Sequence, residues 1–226
     1  MSVPRIRSVN VGRVAEIPRG QGVERTAIGK SPARGPVLLE PAGATGEAGA
    51  AGDEIGDAVH HGGRDQAVYA YAREDLDHFV EVLGVPVPDG FFGENLTTSG
   101  IDLNACLVGE RWRVGGAAGA LLEVASVRIP CQTFARWLSA NGLDAAGWVK
   151  RFTAEGRSGA YLRVLEPGRV TAGDDVEVVG APGHDVDVAT MFRAMTTRRE
   201  LLPRLREVDD LAASARAAVD AYEASM

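Results

Sequence analysis

The chain has 226 residues and a mass of 23.8 kDa, enough for one large domain, or one domain with a small appendage, to bury a core without covalent staples. Hydrophobic residues make up 45% and charged residues 24%, at a mean hydropathy of −0.05, which excludes wholesale disorder. The 31 acidic and 24 basic residues give a net charge of −7, against the basic surplus of a nucleic-acid binder, and two cysteines are too few for a disulfide scaffold, a four-thiolate zinc site or an iron–sulfur cluster.

Residues 1–17 contain no apolar run of secretory length, because Arg5, Arg7 and Arg13 interrupt them. No later stretch approaches the roughly 20 apolar residues of a membrane span. The expectation is a soluble cytoplasmic protein with no membrane or nucleic-acid partner, with Cys106 and Cys131 as reduced thiols. Glycine, at 28 residues, and proline, at 11, punctuate short apolar runs. In chain order, the first predicted strand is 8–14. Segment 41–57, PAGATGEAGAAGDEIGD, is too short and too poor in proline for collagen and is predicted to be a flexible loop. A strand over 66–71 and a helix over 73–83 follow. That helix opens on Glu74 and Asp75 and sets Leu76, Phe79, Val80 and Leu83 on one face. Strands are predicted over 107–114 and 120–127, joined through Gly115–Gly119 as a hairpin, then a helix over 133–140 that stops at Asn141-Gly142. Strand 160–165 runs into Glu166-Pro167-Gly168-Arg169, read as a hairpin turn, and a further strand covers 176–179. Residues 199–224 place Leu201, Leu205, Val208, Leu211, Ala215, Val219 and Tyr222 in a 3.6-residue rhythm, one or two amphipathic helices packed on the main body or on a partner. The composition shifts near Gly180–Gly183. Many short strands with turn signals suggest a barrel or sandwich.

Four places bear on chemistry. His60-His61-Gly62-Gly63-Arg64-Asp65 precedes a strand. Its glycines permit a sharp turn or close approach to a ligand, or simply a tight turn with a structural aspartate. In Phe91–Thr97, Asn95 offers donor and acceptor to the edge of a pterin or base, or closes a turn. Cys131 follows Pro130 at a strand's end and precedes a helix, with Arg128 nearby. It reads either as a thiolate suited to a transition metal or nucleophilic attack, or as a small buried hydrophobe. Lys30-Ser31-Pro32 with Gly156-Arg157-Ser158-Gly159 is an anion cradle or a set of solvated loop charges. There is no dinucleotide fingerprint, Walker loop, nucleophile elbow or HExxH, so neither a nicotinamide nor pyridoxal phosphate is expected.

The order of these pieces resembles the MOSC domain, named after the C-terminal domain of molybdenum cofactor sulfurase. The matching text is Lys30-Ser31-Pro32, HHGGRDQAVYAY from His60, FGENLT from Phe92, Val108-Gly109-Glu110-Arg111, VRIPC ending at Cys131, and GRSGAYLRVLEPGRVTAGDDVEV from Gly156. It spans residues 5–180. Gly52-Asp53 matches a usual Gly-Asp pair of the family, while Glu110 stands where a Gly-Asp turn is more usual.

The resemblance implies a mainly β fold with α elements, a strongly bent MOSC-type β-barrel with flanking helices over 1–180. A short helical extension over 185–226 matches the stand-alone bacterial branch. It implies the molybdenum cofactor, a molybdopterin, with Cys131 as catalytic residue and protein ligand to the metal. Lys30, Ser31, Asn95 and Arg128 would lie around the pterin and its phosphate, and His61, Gly62, Gly63 and Asp65 near the pocket. The implied activity is molybdenum-dependent reduction of N-hydroxylated compounds of the hydroxylaminopurine or amidoxime type, a detoxifying oxidoreductase fed by a separate electron-donor protein. Glu94 or His61 would deliver a proton. Two other readings remain: a carrier of the cofactor or of persulfide sulfur on Cys131, and a cofactor-free scaffold whose terminal helices recruit a partner or a second copy.

Overall fold

The structure, a computed structural model, describes residues 3–226. The chain runs through β1 (Arg5–Gly12), β2 (Ala15–Arg19), β3 (Gly22–Thr26), β4 (Lys30–Pro32), β5 (Val37–Leu39), β6 (Val68–Ala72), α1 (Arg73–Leu83), β7 (Leu96–Ser99), β8 (Arg111–Val114) and β9 (Ala120–Val127). It continues through α2 (Gln132–Ala140), α3 (Trp148–Glu155), β10 (Ala160–Glu166), β11 (Gly168–Val170), β12 (Val176–Gly180), α4 (Val188–Thr196) and α5 (Ala213–Glu223). Short 3₁₀ turns cover Arg64–Gln66 and Arg199–Glu207.

Eight strands form one sheet in the order β12-β8-β9-β10-β6-β7-β1-β4, antiparallel except for the parallel β6–β7 pair. The parallel step needs a crossover, and α1 with its following loop supplies it. The sheet bends until β1 returns to the chain entering β12. The Ile6 N–H donates to the Asp174 carbonyl at 2.8 Å, and the Val176 N–H to that of Pro4 at 2.8 Å. Arg5 and Asp175 form an isolated bridge there, so the ends touch through a few bonds rather than a continuous ladder. The fold is thus sheet-dominated and barrel-like, with helices around it.

Two apolar clusters result. The larger lies within the sheet and includes Ile6, Val68, Leu96, Trp112, Leu122 and Leu162 together with Met191, Phe192, Leu202, Leu205, Leu211 and Val219 from the C-terminal elements. The second is aromatic and lies under α1, α2 and α3, where Phe79, Phe92, Phe134, Trp148 and Phe152 meet largely edge to face. Quadrupole matching favours that geometry. Helix α1 stops because Gly84 adopts φ +70° and its N–H returns to Val80.

Some expectations change. Residues 166–169 do not fold β10 back on itself: β11 pairs with β5, while β10 lies between β9 and β6. Segment 41–57 is an ordered wall rather than a flexible loop, because Ala50 bridges to Leu39 and the Asp53 side chain accepts the Gly12 N–H at 2.7 Å. Residues 95–97 continue directly into a strand, since Leu96 and Thr97 pair with both β1 and β6.

Candidate functional site

Strand β9 leaves the sheet at Val127, and Pro130 cannot extend the ladder, so Arg128–Cys131 turn toward α2. Cys131 becomes the N-cap of α2 in extended geometry (φ −125°, ψ 172°), its sulfur making no capping bond. It is partly exposed, whereas Cys106 is buried among apolar groups and its thiol is pushed up by that burial. Cys131 therefore lies at the start of a helix, beside the unbonded N–H groups of its first turn.

Arg128 is held without a carboxylate. Its guanidinium donates to the Phe92 carbonyl and lies 4.0 Å over the Phe134 ring and 5.3 Å from the Tyr69 centroid. Such stacking suits arginine specifically.

Both residues line an open cleft of about 120 Å³. Its walls come from the β3–β4 connection, segment 53–57, the His61-Gly62 turn, β6, the Phe92–Asn95 loop and Tyr161 of β10. Across one wall, the Lys30 ammonium pairs with the Asp53 carboxylate, the two side chains only 7% and 3% exposed. Asp53 also accepts the Asn95 amide at 2.9 Å. Asn95 in turn accepts the Tyr69 N–H at 3.1 Å, tying that wall to β6. Burial lowers the Lys30 value from its ordinary one, against the pull of Asp53. His61 is likewise lowered by burial and by the Arg128 charge, which keeps its imidazole neutral near pH 7. At the rim, Glu24 of β3 accepts from Thr133 and Arg136 of α2, fastening the β2–β3 ribbon beside Cys131.

The structure thus brings Lys30, His61, Gly62, Asn95, Arg128 and Cys131 to one cleft. It does not bring Ser31, Gly63 or Asp65 there. Ser31 is exposed on β4. Gly63, at φ +82°, packs against the backbone of Ala44 and Thr45. Asp65 accepts from Arg163 Nε at 2.8 Å and from the Ala213 N–H at 3.0 Å, linking β10 to the start of α5. The proposed Gly156–Gly159 half of the anion cradle is also elsewhere: Arg157 pairs with Asp75, and the Arg157 and Ser158 carbonyls accept the Tyr71 and Tyr69 hydroxyls. Glu94 lies outside the cleft lining, its carboxylate accepting from the Gly90 N–H, the Phe92 N–H and the Thr97 hydroxyl.

Sequence reasoning missed Arg25, Gln66 and Tyr161, which also line the cleft. Gln66 Oε1 is buried without a hydrogen-bond partner among the described residues. Only the position of Gln66 just after the HHGGRD stretch offered a signal.

A bent, sheet-dominated domain with a cleft-lining thiol at a helix start defines the class. The MOSC domain family model matches residues 57–177. The chain is 31% identical over 186 residues to the uncharacterized protein YflK of Bacillus subtilis (strain 168), covering 81% of this chain and 78% of that protein. It is 28% identical over 178 residues to protein YiiM of Escherichia coli (strain K12), covering 76% and 70%. In three dimensions it matches the crystal structure of YiiM from Geobacillus stearothermophilus with a TM-score of 0.75 at 24% identity, over 97% of this chain and 98% of that one. The E. coli YiiM crystal structure matches with a TM-score of 0.67 at 22% identity, over 93% and 91%. This chain belongs to the MOSC domain family. Among the described residues, no helix is long and apolar enough to cross a membrane.

Proposed function

We propose that this protein holds a molybdenum cofactor in the cleft, with the Cys131 sulfur as protein ligand to the metal, and reduces N-hydroxylated compounds. The observation that carries the reading is the partly exposed Cys131 sulfur at the α2 N-terminus, in a cleft that also presents Arg128. A soft sulfur donor suits a transition metal. The MOSC family is associated with the molybdenum cofactor, which supports the same reading.

The donor set fits such a group. The orphaned Gln66 Oε1 would accept an N–H from a pterin edge. Arg128 and the exposed Arg25, which has no ion-pair partner among the described residues, would meet its phosphate, while the Lys30 charge is already matched by Asp53. When bound, the cofactor supplies a two-electron redox centre; the protein supplies binding, orientation and electrostatics. The net change, R–NHOH + 2 e⁻ + 2 H⁺ → R–NH₂ + H₂O, takes its electrons from a separate donor protein or a reduced dye. His61, held neutral in the cleft, is placed to exchange a proton with a bound ligand.

The test is protein prepared in a cofactor-competent host, assayed for molybdenum, pterin and reduction of an amidoxime by reduced viologen. Loaded wild type is expected to turn over, and Cys131→Ser to lose activity, because a serine hydroxyl is a hard donor scarcely ionised at neutral pH. Undiminished turnover in loaded Cys131→Ser refutes the assignment. Loaded wild type that holds molybdenum yet never turns over supports a carrier instead.

A further inference from the structure

Three tyrosines cluster on β6 and β10, and their hydroxyls differ. The Tyr69 hydroxyl donates to the Ser158 carbonyl at 2.6 Å, and the Tyr71 hydroxyl to the Arg157 carbonyl at 2.6 Å. Both are committed to holding the turn before β10. The Tyr161 hydroxyl has no hydrogen-bond partner among the described residues, although its ring packs 4.9 Å from that of Tyr69 and lines the cleft with Cys131 and Arg128. Tyr161 is only partly buried, so its hydroxyl opens on the cleft rather than on packed side chains. A cleft-facing phenol uncommitted to the protein is free to donate to a bound molecule.

The backbone at this point is also irregular. On β9, Ser126 pairs with Tyr161 and Val124 with Leu162, so Ala125 is an extra residue without a partner on β10. A bulge of this kind sharpens the local twist and re-aims side chains, and bulges concentrate beside active sites. It lies at the one β10 residue among the cleft-lining groups.

We propose that Tyr161 is the hydrogen-bond donor that holds the hydroxyl oxygen of an N-hydroxylated ligand beside the Cys131 sulfur. The assignment rests on the reductase reading above and adds the residue that tells an N-hydroxylated ligand from its amine. Burial raises the Tyr161 phenol above its ordinary value, so it keeps its proton at neutral pH and donates. A site built to bond a ligand hydroxyl discriminates against the analogue lacking it, because its own polar group is then left unpaired. Glu94 does not compete for the role, since it lies off the cleft with its oxygens already used.

The experiment compares cofactor-loaded wild type with Tyr161→Phe, which keeps the ring and removes only the hydroxyl. Molybdenum and pterin content are measured first, then calorimetric binding of benzamidoxime and of benzamidine, then viologen-driven turnover. Full cofactor content is expected in both proteins. Tyr161→Phe is expected to bind benzamidoxime about five- to tenfold more weakly, with kcat/KM falling in step, as for loss of one neutral hydrogen bond. Benzamidine binding should stay within about twofold, as the lost bond is one it never makes. Equal weakening for both ligands, unchanged benzamidoxime binding, or loss of the metal in the variant would overturn the proposal. Wild type that binds benzamidoxime without reducing it removes the reductase reading, while a selective loss in Tyr161→Phe still upholds the donor assignment. Wild type that binds neither ligand overturns both.

Discussion

Replacing Asp53 by alanine tests how the cleft wall is held. The Asp53 carboxylate receives the Lys30 ammonium, the Gly12 N–H and the Asn95 amide, from three separate parts of the chain. Alanine leaves the Lys30 charge with a side chain only 7% exposed and no opposite charge in contact. Breaking a buried pair by removing one partner costs about 3–5 kcal/mol, most of it from the stranded charge. For a chain of this size, each kcal/mol lowers Tm by roughly 2–4 °C, so the expected fall is about 6–20 °C. Calorimetry and guanidinium titration give the measurement. The same argument predicts recovery. Lys30→Met combined with Asp53→Leu removes both charges, and swapping a buried pair for apolar groups is often neutral. That double variant should therefore melt well above Asp53→Ala alone. An Asp53→Ala protein melting within about 2 °C of wild type, a shift worth about 1 kcal/mol or less, would refute the idea that this pair fastens segment 41–57 to the sheet.

Two further outcomes follow from buried titratable groups. Burial pushes the Glu94 carboxyl up to about 7 from an ordinary 4.5. The folded chain keeps that proton where the unfolded chain has lost it, so the contribution is full below about pH 4.5 and is lost as pH rises through about 7. Its size is on the order of 3 kcal/mol. Urea unfolding at pH 5 and pH 8 should show wild type losing more stability than Glu94→Gln over that interval, and parallel pH dependences would refute it. The second concerns the thiols. A small maleimide should label native protein rapidly at one site, the partly exposed Cys131, and leave buried Cys106 until unfolding. Two equally fast labels, or one that persists in Cys131→Ser, would contradict the structure.

What was legible in the sequence depended on whether the signal was local. Strand β9 and helix α1 have the bounds their patterns predict, because alternation, an acidic first turn and a terminal glycine all sit within the element. The β2–β3 ribbon went unread: β2 buries only Ile17, so no alternating apolar face marks it. Strand β4 is three residues ending in proline, a strand only because β1 pairs with it. Helix α3 left a fainter trace in Trp148 and Phe152, spaced one turn apart. At the cleft, the proline-to-cysteine exit of β9 was readable as a change of element, and the cleft does contain Cys131 and Arg128. The match of Asp53 to Lys30 was not readable, since it depends on a contact across 23 positions. Asp65 misled because its neighbours His61 and Gly62 do face the cleft, while the 3₁₀ turn at Arg64–Gln66 carries its own side chain to the opposite structure.

That single carboxylate has a consequence for how the molecule comes apart. One oxygen of Asp65 receives Arg163 of the central sheet, and the other receives the first amide of the last helix. Arg163 itself donates onward to Glu123 and to the Asp210 carbonyl. A protease nick near residue 198 would therefore do more than shorten the polypeptide. Once the piece beyond it dissociated, Leu202, Leu205 and Val219 would leave the interior and Arg163 would keep Asp65 and Glu123 but lose Asp210, exposing an apolar face on the remnant.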